Sequence, residues 1–221
     1  MPRSFALYPS IISADLLNLQ KEIQLLQNEC DGFHIDVMDY HFVPNLTWGQ
    51  PFINAIAQYT TAPLHLHLMI SQPEAFVHSF ALRSGDTVIF HIEAVTAPQI
   101  IIEYLKKQQC KVAIALKPAT PLETIAPYGK QVDEILLMSV QPGYSGQSFL
   151  PASMDRLKKL VQLRDQQKSH FSIVMDGGIT ADNLPLLVQN GLNGAAVATA
   201  LFTYPDRLAA LKKLYNAAGV I

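Results

Sequence analysis

The chain has 221 residues, of which 49% are hydrophobic and only 15% are charged, and its formal net charge is −2. A charged share this far below the usual ~25% leaves material for a large core. The balanced charge, without a basic stripe or a charge block, excludes a strongly basic nucleic-acid-binding protein and a charged disordered tail. We therefore expect a small-molecule partner and no nucleic acid.

No run approaches the ~18 apolar residues that a membrane span requires. The first residues carry no apolar stretch of signal-peptide length. Cys30 and Cys110 are not spaced as a metal or redox motif. These features predict no membrane partner and a cytoplasmic location.

Short apolar or β-branched runs alternate with amphipathic segments along the chain. The runs predict eight strands, at residues 6–11, 32–37, 64–69, 87–91, 111–116, 134–139, 171–175 and 194–198. The segments between them predict helices at residues 16–29, 98–109, 150–167, 182–189 and 205–217.

Eight strands, each followed by a helix and with no flexible linker, predict one (β/α)8 barrel domain over residues 1–221. The competing layout is an open doubly wound sheet, which needs a glycine-rich turn after its first strand to hold a nucleotide. Residues 9–15 contain no glycine, and this favours the barrel. Its active groups are then expected at the carboxyl ends of the strands.

Polar side chains interrupt strands that should be apolar. His34 and Asp36 alternate with apolar residues on the second strand, and His65 and His67 do so on the third. Positions two apart share one face of a strand, so each pair points the same way. Asp176 follows the seventh strand and precedes two glycines.

Imidazole and carboxylate groups converging on the barrel axis suit zinc, iron, manganese or cobalt. The alternative is a hydrogen-bonded interior without a metal, and for any single histidine that alternative is favoured. For four residues together it is weaker, because unpaired buried charges are costly. The candidate metal ligands are His34, Asp36, His67 and Asp176.

Turns after the last three strands indicate a phosphate site. Gly143 and Gly146 follow the sixth strand, Gly177 and Gly178 follow the seventh, and Ala198-Thr199 closes the eighth. Glycine turns let backbone N–H groups approach an anion, and barrels often bind phosphate near strands seven and eight. A plain tight turn is the commoner reading of any one of them, but three on adjacent strands predict a phosphorylated substrate.

Eight segments, read together and in order, resemble the ribulose-phosphate 3-epimerase family over nearly the whole chain. They are PSIISAD at 9–15, HIDVMD at 34–39, HFVPN at 41–45, HLM at 67–69, KPATP at 117–121, MSV at 138–140, PGYSGQ at 142–147 and DGGI at 176–179. The resemblance implies a ribulose-phosphate-binding (β/α)8 barrel that interconverts ribulose 5-phosphate and xylulose 5-phosphate in the pentose phosphate pathway.

The resemblance also implies roles for individual residues. His34, Asp36, His67 and Asp176 would hold one divalent metal ion, often zinc, and Asp36 and Asp176 would face opposite sides of the reacting carbon. The implied substrate-binding residues are Ser10, His67, Met38, Met69 and Met138. The implied phosphate-binding residues are Gly143, Tyr144, Ser145, Gly146, Gly177, Gly178, Ala198 and Thr199. The family commonly forms dimers or hexamers, so a homo-oligomer is expected.

Inverting a carbon beside a ketone requires removing its proton and returning one from the other face, through an enediolate. An Asp carboxylate is a weak base, with an ordinary pKa of about 3.9. A metal would have to supply much of the stabilisation as a Lewis acid. The two carboxylates could share a single proton, so that one acts as base and the other as acid.

Four positions depart from the family pattern, namely Tyr40, His65, Ser145 and Ala198. They leave open a hexulose-phosphate substrate such as allulose 6-phosphate. If Ala198 takes a positive φ, the expected backbone strain is ~1–2 kcal/mol. A catalytically weak phosphate-binding barrel that acts as a sensor is also open, although a pure binder has no need for two opposed carboxylates. Glu93 and Lys117, at other strand ends, are interpreted as buried polar partners.

Overall fold

Eight parallel strands form one sheet in the computed structural model, which describes residues 4–220. The order around the sheet is β1-β8-β7-β6-β5-β4-β3-β2. The strands are β1 (Ala6–Pro9), β2 (Phe33–Met38), β3 (Leu64–Met69), β4 (Thr87–His91), β5 (Lys111–Leu116), β6 (Glu134–Met138), β7 (Ser172–Asp176) and β8 (Gly194–Val197).

The sheet closes on itself between its first and last members. Ser10, just after β1, forms a parallel bridge with His34 of β2, and the N–H of Asp31 donates to the Leu7 carbonyl. The predicted (β/α)8 barrel is therefore confirmed. The predicted single domain spans residues 1–221, of which residues 1–3 and 221 lie outside the described part.

Helices cover the outside of the barrel. They are α1 (Leu19–Leu26), α2 (Gln50–Tyr59), α3 (Pro73–Phe76), α4 (Pro98–Lys107), α5 (Ala152–Gln166), α6 (Leu184–Gln189), α7 (Thr199–Phe202) and α8 (Arg207–Ala217). The first predicted helix, 16–29, begins as a 3₁₀ turn at Leu16–Asn18, where the Asp15 side chain accepts from the Leu17 N–H.

The expectation that every strand is followed by an α-helix is wrong for β5. Only a 3₁₀ turn, Leu122–Ile125, links β5 to β6. Prolines at 118, 121 and 127 bracket this segment. Proline removes a backbone donor and disfavours helical geometry in the residue before it, and both effects oppose a longer regular helix here.

Strand alternation divides the buried residues into two cores. One set of side chains, such as Ile35 and Leu66, packs outward beneath the helices. The opposite set points into the barrel, where Ile89, Leu136 and Val174 pack together. The interior faces of β2 and β3 instead carry histidines and a carboxylate, which positions the candidate site. Within residues 4–220, no helix combines the length and apolar character needed to cross a bilayer.

A buried carboxylate connects the amino-terminal end of β3 to that of β4. Asp86 is 1% exposed and accepts from the Leu64 N–H at 2.8 Å and from the Arg83 guanidinium at 2.9 Å. Arg83 also donates to the carbonyl of Ala62 at 2.8 Å. Asp86 therefore joins two strands and the loop before β3.

We expect Asp86→Asn to lower the free energy of unfolding by about 1.5–3 kcal/mol, because hydrogen bonds to a charged group contribute about that much. The midpoint of urea unfolding, at an unchanged slope, measures the effect. Asp165→Asn is the control, because Asp165 is exposed and, among residues 4–220, forms an ion pair only with neighbouring Arg164. An Asp86→Asn midpoint equal to that of the wild type would contradict the prediction.

Candidate active site

Three strands bring the four predicted metal ligands together at the carboxyl end of the barrel. The register of β2 against β3 sets Asp36 directly opposite His67, and Asp176 ends β7. One ligand atom from each of the four residues lies within 4.8 Å of all the others. The cluster is thus a single site assembled from residues 142 positions apart in the chain, counted from His34 to Asp176.

The distances in this cluster suit a metal ion. Asp36 Oδ1 lies 3.1 Å from His34 Nε2 and 3.2 Å from His67 Nδ1. Asp176 Oδ2 lies 3.7 Å and 3.6 Å from the same two nitrogens. Ligands bonded at about 2.0–2.2 Å in a tetrahedron lie about 3.3–3.6 Å apart. The donor set and its spacing therefore fit one transition-metal ion, and they do not distinguish zinc from iron, manganese or cobalt.

The two carboxyl groups have opposite acid–base character. Burial opposes ionisation of Asp36, but the charge of His34 and the close contacts of the His34 and His67 rings with its Oδ1 hold its pKa below the ordinary value. Burial raises the pKa of Asp176 to about 7, assisted by the negative charge of Asp36 and opposed by His34. Ser10 Oγ also donates to Asp36 Oδ2 at 2.7 Å. At neutral pH one group is an ionised base, and the other is partly a protonated acid.

The pKa values of the two histidines in the cluster are shifted in opposite directions. Burial disfavours the charged form of both rings. For His34 the neighbouring Asp36 charge outweighs burial and raises its pKa. For His67 burial prevails and lowers the pKa to about 3, so this ring is neutral and has a lone pair for a ligand.

Two further histidines lie behind the cluster. His65 contacts His34 and Glu134, and His91 contacts His67 and Glu93. Neither His91 nor Glu134 is among the site residues predicted from the sequence. A signal existed for both, since His91 ends the fourth predicted strand and Glu134 opens the sixth. Glu93 is a polar partner as interpreted, but it is not buried, since its side chain is 21% exposed. Its pKa is about 2, because hydrogen bonds from His91 and Thr120 outweigh partial burial.

An open cleft lies directly above the cluster. Asp36 and Asp176 form its floor, whereas His34 and His67 lie beneath them and do not line it. The other predicted residues that line the cleft are Ser10, Met38, Met69, Met138, Gly143, Tyr144, Ser145, Gly146, Gly177, Gly178, Ala198 and Thr199. The fold thus places the predicted substrate-binding and phosphate-binding positions around one cleft, except for His67.

Two adjacent glycines after β7 are required by the backbone. Gly177 and Gly178 have φ of +112° and +64°. A Cβ on Gly177 would lie 2.3 Å from Val140 Cγ2, and one on Gly178 would lie 2.3 Å from the Phe149 nitrogen. Only glycine permits this close approach between the turn after β7 and the loop that joins β6 to α5.

The departures from the family pattern have simple structural outcomes. Tyr40 is 68% exposed and does not line the cleft. Ala198 has φ of −113°, so the strain expected for a positive φ does not arise. Ser145 lines the cleft, and His65 lies below the cluster.

The turn after β6 is tied to the loop after β2 across the mouth of the cleft. The Tyr144 hydroxyl donates to the Pro44 carbonyl at 2.6 Å, and Asn45 Nδ2 donates to the Gly143 carbonyl at 2.7 Å. These contacts hold the predicted phosphate turn against the loop that begins above Asp36.

Fold and site together define a (β/α)8-barrel enzyme whose centre combines two imidazoles with two carboxylates below a glycine-lined cleft. Residues 6–202 match the model of the ribulose-phosphate 3 epimerase family. The chain therefore belongs to the ribulose-phosphate 3-epimerase family, and the predicted resemblance and enzyme class are confirmed.

Individual relatives agree with this assignment. The chain is 38% identical over 210 residues to the ribulose-phosphate 3-epimerase of Methanocaldococcus jannaschii, which covers 95% of this chain and 89% of the relative. It is 35% identical over 208 residues to the enzyme of that name from Bacillus subtilis, with 93% and 96% covered. Orotidine 5'-phosphate decarboxylase from Pyrococcus horikoshii superposes with a TM-score of 0.67 at 12% identity, with 97% of this chain and 100% of that chain covered, and shares the fold alone.

Proposed function

We propose that this chain inverts C3 of D-ribulose 5-phosphate to give D-xylulose 5-phosphate, with Asp36 and Asp176 transferring the protons. The observation that carries the proposal is the pairing of the Asp36 and Asp176 carboxyl groups on the floor of a single cleft, where their surroundings shift the two pKa values in opposite directions. Epimerisation needs a base on one face of the carbon and an acid on the other. The relatives named ribulose-phosphate 3-epimerase support the sugar phosphate as the substrate class.

The protein groups would act in the following way. One carboxylate removes the C3 proton, and the resulting charge spreads onto the neighbouring carbonyl oxygen as an enediolate. The opposite carboxyl group returns a proton to the other face. The raised pKa of Asp176, about 7, suits a group that must both hold and release a proton near neutral pH. Ser10 holds the Asp36 carboxylate in place through its hydroxyl.

His34, Asp36, His67 and Asp176 would hold one divalent metal ion, for which we favour zinc. Such an ion supplies Lewis-acid polarisation of the substrate carbonyl when bound. Both proton-transferring groups would then also be ligands, so their acidity would belong to the coupled site and not to either residue alone.

The phosphate would lie among the turns after β6, β7 and β8. Gly177 and Gly178 bring backbone close to the cleft, and the turn that includes Gly143 and Ser145 lies opposite. Holding the phosphate far from C3 would orient the reacting carbon between the carboxylates. Met38, Met69 and Met138 would pack around the sugar, since all three line the cleft.

One experiment tests this proposal. The purified chain is incubated in heavy water with pentulose or hexulose phosphate, and deuterium at C3 is followed while the metal content of the same sample is measured. We expect faster exchange with ribulose 5-phosphate, about one metal ion per chain, and loss of exchange when a chelator removes the metal. Faster exchange with allulose 6-phosphate would favour the hexulose enzyme, and no exchange with no metal would favour a sensor. The cytoplasmic location and the homo-oligomer, a dimer or hexamer, stay predictions.

A further inference from the structure

A chain of hydrogen bonds runs from His34 away from the cleft. His34 Nδ1 lies 2.7 Å from His65 Nδ1, and His65 Nε2 lies 2.8 Å from Glu134 Oε1. The three residues are 0%, 1% and 5% exposed, respectively. The Tyr8 ring stacks on the His65 ring with centroids 4.1 Å apart and planes within 2°. We call His34, His65 and Glu134 the first arm.

Proton positions in the first arm follow from the chemistry of its members. A carboxylate only accepts hydrogen bonds, so His65 Nε2 must donate to Glu134. A neutral imidazole has one N–H, and His65 Nδ1 is therefore an acceptor. His34 Nδ1 must then donate to it. The lone pair of a neutral His34 is thereby left on Nε2, the atom 3.1 Å from Asp36 Oδ1 in the candidate metal centre.

A second arm repeats this order of groups behind His67. His67 Nε2 lies 2.9 Å from His91 Nε2, and His91 Nδ1 lies 3.1 Å from Glu93 Oε2. Glu93 is itself anchored by the Lys117 N–H at 2.8 Å and by the Thr120 hydroxyl. The same reasoning makes His91 the acceptor and His67 the donor through Nε2, which leaves the lone pair on His67 Nδ1.

The two arms therefore orient different ring nitrogens of the two ligand histidines toward one point. His34 presents Nε2 and His67 presents Nδ1, and both atoms lie within 3.2 Å of the same oxygen, Asp36 Oδ1. Without a carboxylate at its end, an imidazole pair can adopt either hydrogen-bond direction. Half of these arrangements would place an N–H where a metal requires a lone pair.

We propose that Glu134 and Glu93 are positioning residues of the metal centre, each holding a ligand histidine in its metal-binding tautomer through an intervening histidine. This inference rests on the proposed metal-dependent function. Neither glutamate touches the reacting atoms, and each acts only through the ring between it and the ligand. Outer partners of this kind commonly change metal affinity by about 10–100-fold when they are replaced.

The first arm offers the sharper test. In Glu134→Leu the carboxylate is removed, and we expect the affinity for zinc, measured by competition with a chromophoric chelator, to fall by about 10–100-fold. Glu134→Gln keeps an acceptor and should lose less. The ¹⁵N spectrum of the histidine rings in the zinc-loaded wild type should show a protonated Nδ1 on His34 and a protonated Nε2 on His65. In Glu134→Leu, the signal of the protonated His65 Nε2 should be lost or averaged.

Asp86→Asn is the matched control, because it removes a buried charge outside both arms. It should lower stability but leave zinc affinity and the histidine spectrum unchanged. Unchanged zinc affinity in both Glu134 variants, or a wild-type His65 protonated on Nδ1, would overturn this inference alone. A wild type that binds no zinc would overturn the inference together with the proposed metal dependence. Since the wild-type spectrum needs no variant, poor folding of Glu134→Leu does not remove the test.

Discussion

Replacing Asp36 or Asp176 with asparagine is expected to lower the rate of C3 inversion by about 10²–10⁴-fold, the usual contribution of a general acid or base. The two variants should differ in a second property. Each keeps the carboxyl group of one face, so each should still exchange the C3 proton of one epimer without inverting it. Asp36→Asn and Asp176→Asn should retain exchange on opposite epimers.

This pattern separates proton transfer from metal binding. Asparagine can still offer its amide oxygen as a ligand, and the metal content of each variant is measured on the same sample. Loss of the metal would remove exchange with both epimers in both variants, whereas loss of one proton carrier removes it with only one. Deuterium at C3, followed separately from ribulose 5-phosphate and xylulose 5-phosphate, is the measurement. Full epimerisation by either variant would exclude that residue as a proton carrier.

Gly178→Ala is expected to raise the KM for the sugar phosphate and to lower kcat/KM by about 10²-fold. The new Cβ would lie 2.3 Å from the Phe149 nitrogen, so the β7 turn or the segment before α5 must move. Displacements of about 1 Å can have an effect of that size when they alter how the substrate is positioned. Steady-state kinetics together with the midpoint of urea unfolding distinguish a displaced turn from a general loss of stability.

Gly219→Ala is a matched control for this effect. Gly219 has φ of +73°, close to the +64° of Gly178, and a Cβ there would meet no atom within 4 Å. Both variants incur the positive-φ penalty of roughly 1–2 kcal/mol, but only Gly178→Ala moves a loop at the cleft. An equal KM in the two variants would mean that the glycine turn has no part in binding the phosphate.

Several parts of the site were accessible to sequence reasoning because they depend on local periodicity. Residues two positions apart on a strand share one face. This rule placed His34 with Asp36, and His65 with His67, in the barrel interior. Glycine pairs after strands marked the turns of the cleft. The (β/α)8 barrel followed from the alternation of strands and helices. The missing helix after β5 shows the limit of that reasoning, since three prolines outweigh the regular alternation.

Contacts across the barrel were not accessible in this way. Alternation gives the face of the sheet on which a side chain lies, but it does not give the residue that this side chain contacts on another strand. That contact depends on strand register and on where the sheet closes. His65 lies beside His34 because β2 and β3 pair in that register. Glu134 reaches His65 from β6, on the far side of the barrel and 69 residues along the chain.

The sequence by itself thus determined the fold class, the family and the identity of the residues facing the barrel interior, because these depend on periodicity and on ordered motifs. The tertiary structure alone decided that Ala198 does not take a positive φ, that Tyr40 does not line the cleft, and that two histidine–glutamate arms lie behind the candidate metal ligands. Those outcomes depend on distances between residues far apart in the chain, which only closure of the barrel brings within hydrogen-bonding range.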